Sequence, residues 1–265
     1  MSDFFFALLA EGGTPAPAPS AAPFRLGAST HVLVDGNSYY ARWVYDPINQ
    51  IGPLDTFLRS RGVASSNTAV AGQTWTTMLK GLADVVAVFD PTKSNVLVCG
   101  ETRNFVANVP RRPATGVPED TVEAWSARAL RTAISRSTSY IAAAQEAVRS
   151  RYGQGFDKVV LCGTIPNSTL GNEEWKDFVP EMNRVLLNFD EHARTHYREM
   201  GADAFADFRS NVQWFGGDGT TKPGFAQTQE TVREKLDSGE WVHPAGAARE
   251  AFAEVIADAL KRLEA

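Results

Sequence analysis

The sequence predicts a three-layer α/β/α domain built on a parallel sheet of about five strands. Three observations lead there. Short β-rich apolar runs recur at His31 to Val34, Thr68 to Ala71, Asn95 to Cys99 and Lys158 to Cys162, each bounded by Gly or Asp. The runs are apolar throughout instead of alternating, as in strands covered on both faces. Longer segments of helical periodicity separate them, and such strand–helix alternation builds a parallel sheet with helices on either side.

Taken in chain order, His31 to Val34 is the first strand and Thr68 to Ala71 the second. A helix is expected from Thr76 to Phe89, followed by the third strand at Asn95 to Cys99. Val122 to Arg151 reads as a long helix with one buried stripe and a charged, solvated face. Lys158 to Cys162 is the fourth strand, Glu174 to Met200 the next helix, and Asn211 to Phe215 a fifth strand that completes the sheet. Ala245 to Leu263 closes the chain as a helix. No internal repeat is visible.

The chain has 265 residues, 43% of them hydrophobic, 22% charged and 10% aromatic, enough to bury a full core and to exclude a mainly disordered or fibrous protein. Its net charge of -5 supplies no basic field for a phosphate backbone, so nucleic acid is not an expected partner. Residues 24–265 are expected to form the folded domain. Before it, Gly12 to Pro23 reads GGTPAPAPSAAP, a semi-rigid Pro/Ala linker over residues 12–23. Residues 1–11 carry the apolar run Phe4 to Ala10, flanked by Asp3 and Glu11. With no Lys or Arg before it, the run does not read as a secretion signal, and it is far shorter than the roughly 20 apolar residues of a membrane span. It reads as a docking peptide, because an exposed FFFALL would otherwise be sticky.

Cys99 and Cys162 sit in no metal-ligand spacing and are expected as buried free thiols. His192 and His196 are four residues apart, but HARTH lacks the glutamate of HExxH and lies in a charged helix, so no metal is expected. His31, at a strand start, reads as structural.

In open parallel sheets ligands bind beyond the carboxyl ends of the strands. The residues after the apolar runs are Asp35-Gly36-Asn37-Ser38, Gly72-Gln73-Thr74 and Gly100-Glu101-Thr102-Arg103-Asn104, and Glu240-Trp241-Val242-His243-Pro244 precedes the last helix. A serine attacking a carbonyl needs a base, a group that orients the base, and donors aimed at the oxyanion. Ser38 at a strand-to-helix turn is the candidate nucleophile, His243 the base and Glu240 its orienter, with Asp237 and Asp218 as competing acids. Gly72 offers an unobstructed backbone N–H and Asn104 a side-chain amide. For Ser38 the structural alternative is a helix cap, for Gly72 a turn glycine and for Asn104 a loop cap.

In these motifs the chain resembles the SGNH, or GDSL-type, hydrolase family, whose blocks run Ser, Gly, Asn and His in that order. Ser38 in VLVDGNS is similar to the first block, Gly72 in AVAGQTW to the second, Asn104 in VLVCGETRN to the third and His243 in EWVHPAGA to the last. The resemblance implies a flavodoxin-like sheet, the SGNH hydrolase fold, and an oxyanion hole of the Ser38 N–H, the Gly72 N–H and the Asn104 amide. Three departures stand out. Asn37 replaces the usual aspartate, the third block is two residues longer and lacks its final aspartate, and Glu240 replaces the aspartate of D-x-x-H.

The resemblance implies ester hydrolysis through an acyl-enzyme without a metal or organic cofactor. Trp75 and Trp241 beside the proposed site suit the stacking of a sugar, with core packing as their alternative, and Arg103 suits an anionic substituent or a surface carboxylate. O-acetyl removal from a carbohydrate is therefore the expected reaction. The apolar tag and spacer also resemble the way phage or phage-like particles carry such a domain as a spike, which implies a virion partner through residues 1–11 and a location in the bacterial cytoplasm or on the particle. The alternative is a non-catalytic carbohydrate-binding or structural protein that kept the fold while its motifs drifted.

Overall fold

The computed structural model describes residues 23–41, 52–109, 121–166, 179–212, 215 and 247–265. The expected docking peptide and nearly all of the linker lie outside the described residues. Strands β1 (Thr30–Gly36), β2 (Ala64–Asn67), β3 (Ser94–Gly100), β4 (Lys158–Cys162) and β5 (Ala204–Ala206) form one sheet in the order β2-β1-β3-β4-β5. Every pairing is parallel. The expected fold class is the one observed.

Side-chain alternation along the central strands builds a core on each face. Val32, Val34, Val96, Val98, Val160 and Cys162 point to one side, where α1 (Gly52–Ser60) and α7 (Ala247–Arg262) cover them. Leu33, Leu97, Cys99, Val159 and Leu161 point to the other, under α2 (Trp75–Lys80), α3 (Leu82–Val88), α4 (Thr102–Asn108), α5 (Val122–Tyr152) and α6 (Val179–His196). Both faces are therefore dry, which is why these strands read as unbroken apolar runs. The two cysteines are free and buried, as expected, and face opposite cores. Burial pushes the Cys162 thiol up to about 12, so it stays protonated at neutral pH.

The 31-residue α5 spans the second face. Thr121 caps it by accepting the Ala124 N–H at 3.1 Å, and Ala129, Ala133, Tyr140, Ala144 and Val148 form its buried stripe. Small residues on that stripe let the helix lie close to its neighbours.

Four expectations need correction. The second strand is Ala64–Asn67, not Thr68 to Ala71. Its sequence, ASSN, is polar and half-buried because the strand lies at the sheet edge, where no apolar run is required. Thr68 and Val70 still donate to Val34 O and Gly36 O at 2.9 and 3.1 Å, so the apolar run follows β1 past the end of the strand. The fifth strand is Ala204–Ala206, not Asn211 to Phe215. Asn211 instead follows a 3-10 turn at Phe208–Ser210, and its carbonyl accepts the Phe215 N–H at 2.9 Å in a further turn.

The expected helix from Thr76 to Phe89 is two helices broken at Gly81, whose N–H is shared between Thr77 O and Met78 O. Glycine is a poor helix residue, and this one ends α2. Helices α1 and α4 were not expected; α4 follows β3 directly and begins at a carboxylate cap, described below. His31 is structural as expected, with Nδ1 3.0 Å from Asn95 Oδ1 and Nε2 2.9 Å from Ser66 Oγ at the amino ends of β1 and β3.

Candidate active site

The strand order reverses direction at β1 and β3, since the chain leaves β1 for β2 on one side and β3 for β4 on the other. Such a switch point opens a crevice beyond the carboxyl ends of the two strands. The loops carrying Ser38 and Asn104 leave from there.

Gly36 and Gly100 are register partners at the end of this pair. A Cβ on Gly36 would meet Gly100 O at 2.5 Å, and one on Gly100 would strike the Tyr40 hydroxyl and approach Cys162 Cβ to 2.7 Å. Only glycine lets Tyr40 fold back across both strands. That packing fixes the turn containing Ser38. Asn37 shapes the turn from within: its Oδ1 accepts the Tyr39 N–H at 3.0 Å, and its carbonyl accepts those of Tyr40 and Ala41 at 3.0 and 3.1 Å. The amide in place of an acid thus serves as a turn cap, with Nδ2 reaching the carbonyl of Glu101 at 3.4 Å. Ser38 is half-buried in this turn.

The second loop turns at exposed Gly72, with φ +79°, a conformation that L side chains rarely adopt. Asn104, in the first turn of α4, donates from Nδ2 to Gln73 O at 3.0 Å and accepts from the Arg103 guanidinium at 3.2 Å through Oδ1. Two loops that are separate in sequence are therefore joined by the side chain expected to serve the oxyanion.

The residue that ties the region together is Glu101, which the sequence placed directly after β3 but to which no role was attached. It is buried, and its two carboxyl oxygens accept different backbone donors, Trp75 N–H at 2.8 Å and Phe105 N–H at 3.0 Å. One side chain caps α4 and accepts the first N–H of α2, whose own cap is Thr74. Burial raises its pKa well above the usual carboxylate value, against the pull of these backbone donors. The available signal was an acidic residue between an apolar run and a helix start, a carboxylate N-cap pattern.

Behind the turn, Asp35 accepts the Tyr140 hydroxyl and, at 3.0 Å, the Gly36 N–H. Burial raises the pKa of this carboxyl, and hydrogen bonds from Tyr140, Thr68 and Gly36 oppose the rise. The Tyr140 ring lies 5.5 Å from Trp75.

Trp75 has no exposed surface, and its Nε1 donates to Thr102 Oγ1 at 3.1 Å. This corrects its expected role in stacking a sugar: core packing, the alternative reading, takes both ring faces, because the carboxylate cap draws the first residue of α2 inward. Arg103, by contrast, lines the crevice with Asn37, Tyr39, Thr164, Ile165 and Phe252, its guanidinium 5.7 Å from the Tyr39 ring centre. His243, Glu240 and Trp241, together with Asp237 and Asp218, lie outside the described residues. Among the described residues no group of three or more His, Cys, Asp or Glu could hold a metal ion, and no helix is long and apolar enough to cross a membrane. His192 and His196 stack on each other at 4.5 Å.

No protein-family model matches the chain, and no curated protein matches it. Solved structures do. A protein assigned to the lipolytic G-D-S-L family from Desulfitobacterium hafniense aligns at 13% identity with a TM-score of 0.51, covering 86% of this chain and 98% of that one. TesA aligns at 17% identity and a TM-score of 0.49, over 88% of this chain and 99% of its own. Axe2, an acetylxylan esterase from Geobacillus stearothermophilus, aligns at 14% identity and a TM-score of 0.41, over 91% and 96%. The first likeness establishes the fold class: a five-strand parallel α/β sheet with flanking helices, the fold of a G-D-S-L protein.

Proposed function

We propose that the protein is a serine ester hydrolase acting through an acyl-enzyme. The observation that carries this reading is the joining of three loops at the β1/β3 switch point: the Asn37–Ser38 turn bonded to Glu101 O, and the Gly72 loop bonded through Gln73 O to the Asn104 amide. In the mechanism, His243 takes the Ser38 hydroxyl proton as the oxygen attacks the ester carbonyl. Glu240, or Asp237 or Asp218, orients the imidazole. The Ser38 and Gly72 N–H groups and the Asn104 amide receive the oxyanion. An amide nitrogen has two N–H donors, and the bond to Gln73 uses one of those on Asn104, leaving the other for the oxyanion. His243 then protonates the leaving alcohol, and a water deprotonated by the same imidazole releases the acid. His243 is four residues before Ala247, the first residue of α7, and four residues reach at most about 14 Å. Phe252 of α7 lies 6.1 Å from Tyr39, the neighbour of Ser38.

The substrate class in this reading is a small acyl ester, with O-acetyl groups on a carbohydrate favoured. Arg103 lines the crevice, where it suits an anionic substituent. Carriage on a phage-like particle through residues 1–11 is a separate part of the proposal and rests on the sequence alone.

The test is release of p-nitrophenol from p-nitrophenyl acetate by wild type, Ser38→Ala and His243→Ala, with butyrate and octanoate esters alongside. The expected result is a rate lost in both variants by at least about a thousandfold and falling with acyl length. Wild type no faster than the variants, with glycan binding retained in Ser38→Ala, would establish instead the non-catalytic carbohydrate-binding reading that Asn37, Glu240 and the lengthened third block favour.

A further inference from the structure

We infer that Glu101 is a positioning residue that sets the geometry of the oxyanion site, by clamping the Gly72 loop and the Asn104 helix to the end of β3 and, through its carbonyl, the Ser38 turn. The catalytic meaning of this clamp rests on the esterase reading; the clamp itself is a set of hydrogen bonds.

Each link is a separate bond. Glu101 Oε2 accepts the N–H of Trp75, three residues beyond Gly72. Oε1 accepts the N–H of Phe105, next to Asn104. The Glu101 carbonyl receives Asn37 Nδ2 at 3.4 Å and the Asn104 N–H at 3.2 Å. Every proposed oxyanion donor is therefore within three residues of a group bonded to Glu101, which lies at the floor of the crevice and is only 2% exposed.

Two acceptor oxygens facing two backbone donors is an arrangement only a carboxylate side chain supplies. Glutamine has the same shape but presents one NH2 group, so in either flip one donor meets another donor and one link breaks. Oxyanion donors act by being held in place before charge develops, and displacement by an ångström removes much of their effect. Substrate affinity does not depend on those donors in the same way. The loss should therefore fall on kcat.

The experiment compares wild type, Glu101→Gln and Glu101→Asp on p-nitrophenyl acetate, together with backbone amide exchange at Trp75 and Phe105. Expected for Glu101→Gln is a fall in kcat of about tenfold or more with KM within about twofold, and faster exchange at one or both amides. Glu101→Asp, which keeps both oxygens on a shorter arm, should fall between, and it supplies the same readings if Glu101→Gln does not fold. A kcat equal to wild type in the folded variant, or loss of kcat only in proportion to unfolded protein, overturns the proposal. So does unchanged exchange at both amides. Wild type without Ser38-dependent turnover refutes the esterase reading instead. The clamp is then judged on exchange alone, upheld by lost protection and overturned by its persistence.

Discussion

Two of the buried carboxylates at the carboxyl edge of the sheet, Glu101 after β3 and Asp190 in α6 beside the end of β4, hold their loops by different chemistry. Glu101 accepts only backbone N–H groups through its side chain, one from α2 and one from α4. Asp190 accepts the Thr164 N–H and hydroxyl at 2.8 and 2.6 Å and pairs with Arg209 Nε at 2.8 Å. Both Asp190 and Arg209 are almost without exposed side-chain surface. The first site positions elements by donors that carry no net charge; the second does so with a full ion pair. Cutting the first strands two buried backbone N–H groups, whereas removing the cation of the second strands a buried charge.

That contrast is tested most strongly at Arg209. Arg209→Met should cost roughly 3–5 kcal/mol of stability, because it leaves the Asp190 carboxylate buried without its cation. Urea denaturation reads this, and a midpoint close to wild type would show that Asp190 escapes the penalty.

A smaller effect is read by pH. Burial, opposed by Arg209 and Thr164, raises the Asp190 pKa to about 6 from the ordinary 3.8 of an aspartate. Between those values the folded protein retains a proton that the unfolded chain has released, so stability should decline as pH rises from about 4 to about 6 and flatten above, on the order of 2 kcal/mol in all. The slope should become shallower in Asp190→Asn, with the buried Asp35 and Glu101 carboxyls, raised in the same sense, carrying the remainder; a slope unchanged by the substitution would show that Asp190 does not contribute.

The smallest change expected is at the loop that Glu101 and Asn104 secure. Gly72→Ala adds a Cβ into open space, so its cost is the positive φ alone, about 1 kcal/mol. A loss several times larger would mean that the loop is held more tightly than its own bonds require, and no loss would mean that it relaxes when strained.

Legibility in the sequence followed burial. The central strands β1, β3 and β4 were readable because both faces are dry and their middle residues are apolar on both sides; the expected Lys158 to Cys162 matches β4 end to end. The edge strands were not. Neither ASSN nor AFA carries a periodic signal, and each is a strand because a neighbour offers it a ladder. The long helix α5 was legible within one residue, while α2 and α3 read as one until Gly81 was seen to end the first.

The candidate site divides similarly. Ser38, Gly72 and Asn104 could be named from their places after apolar runs, since strand ends are where an open sheet binds ligands. Trp75 could not be assigned, because an aromatic beside a loop looks the same whether it faces solvent or core.

What the sequence alone determined is the layered α/β class and the strand ends from which functional groups project, because both follow from periodicity in neighbouring residues. Tertiary structure decided which loops are joined: Asn104 to Gln73, Glu101 to Trp75 and Phe105, Asp190 to Arg209. The first link spans 31 residues of chain, and the hydrogen-bonding capacity of a side chain says how many partners it needs but not which ones folding brings within 3 Å.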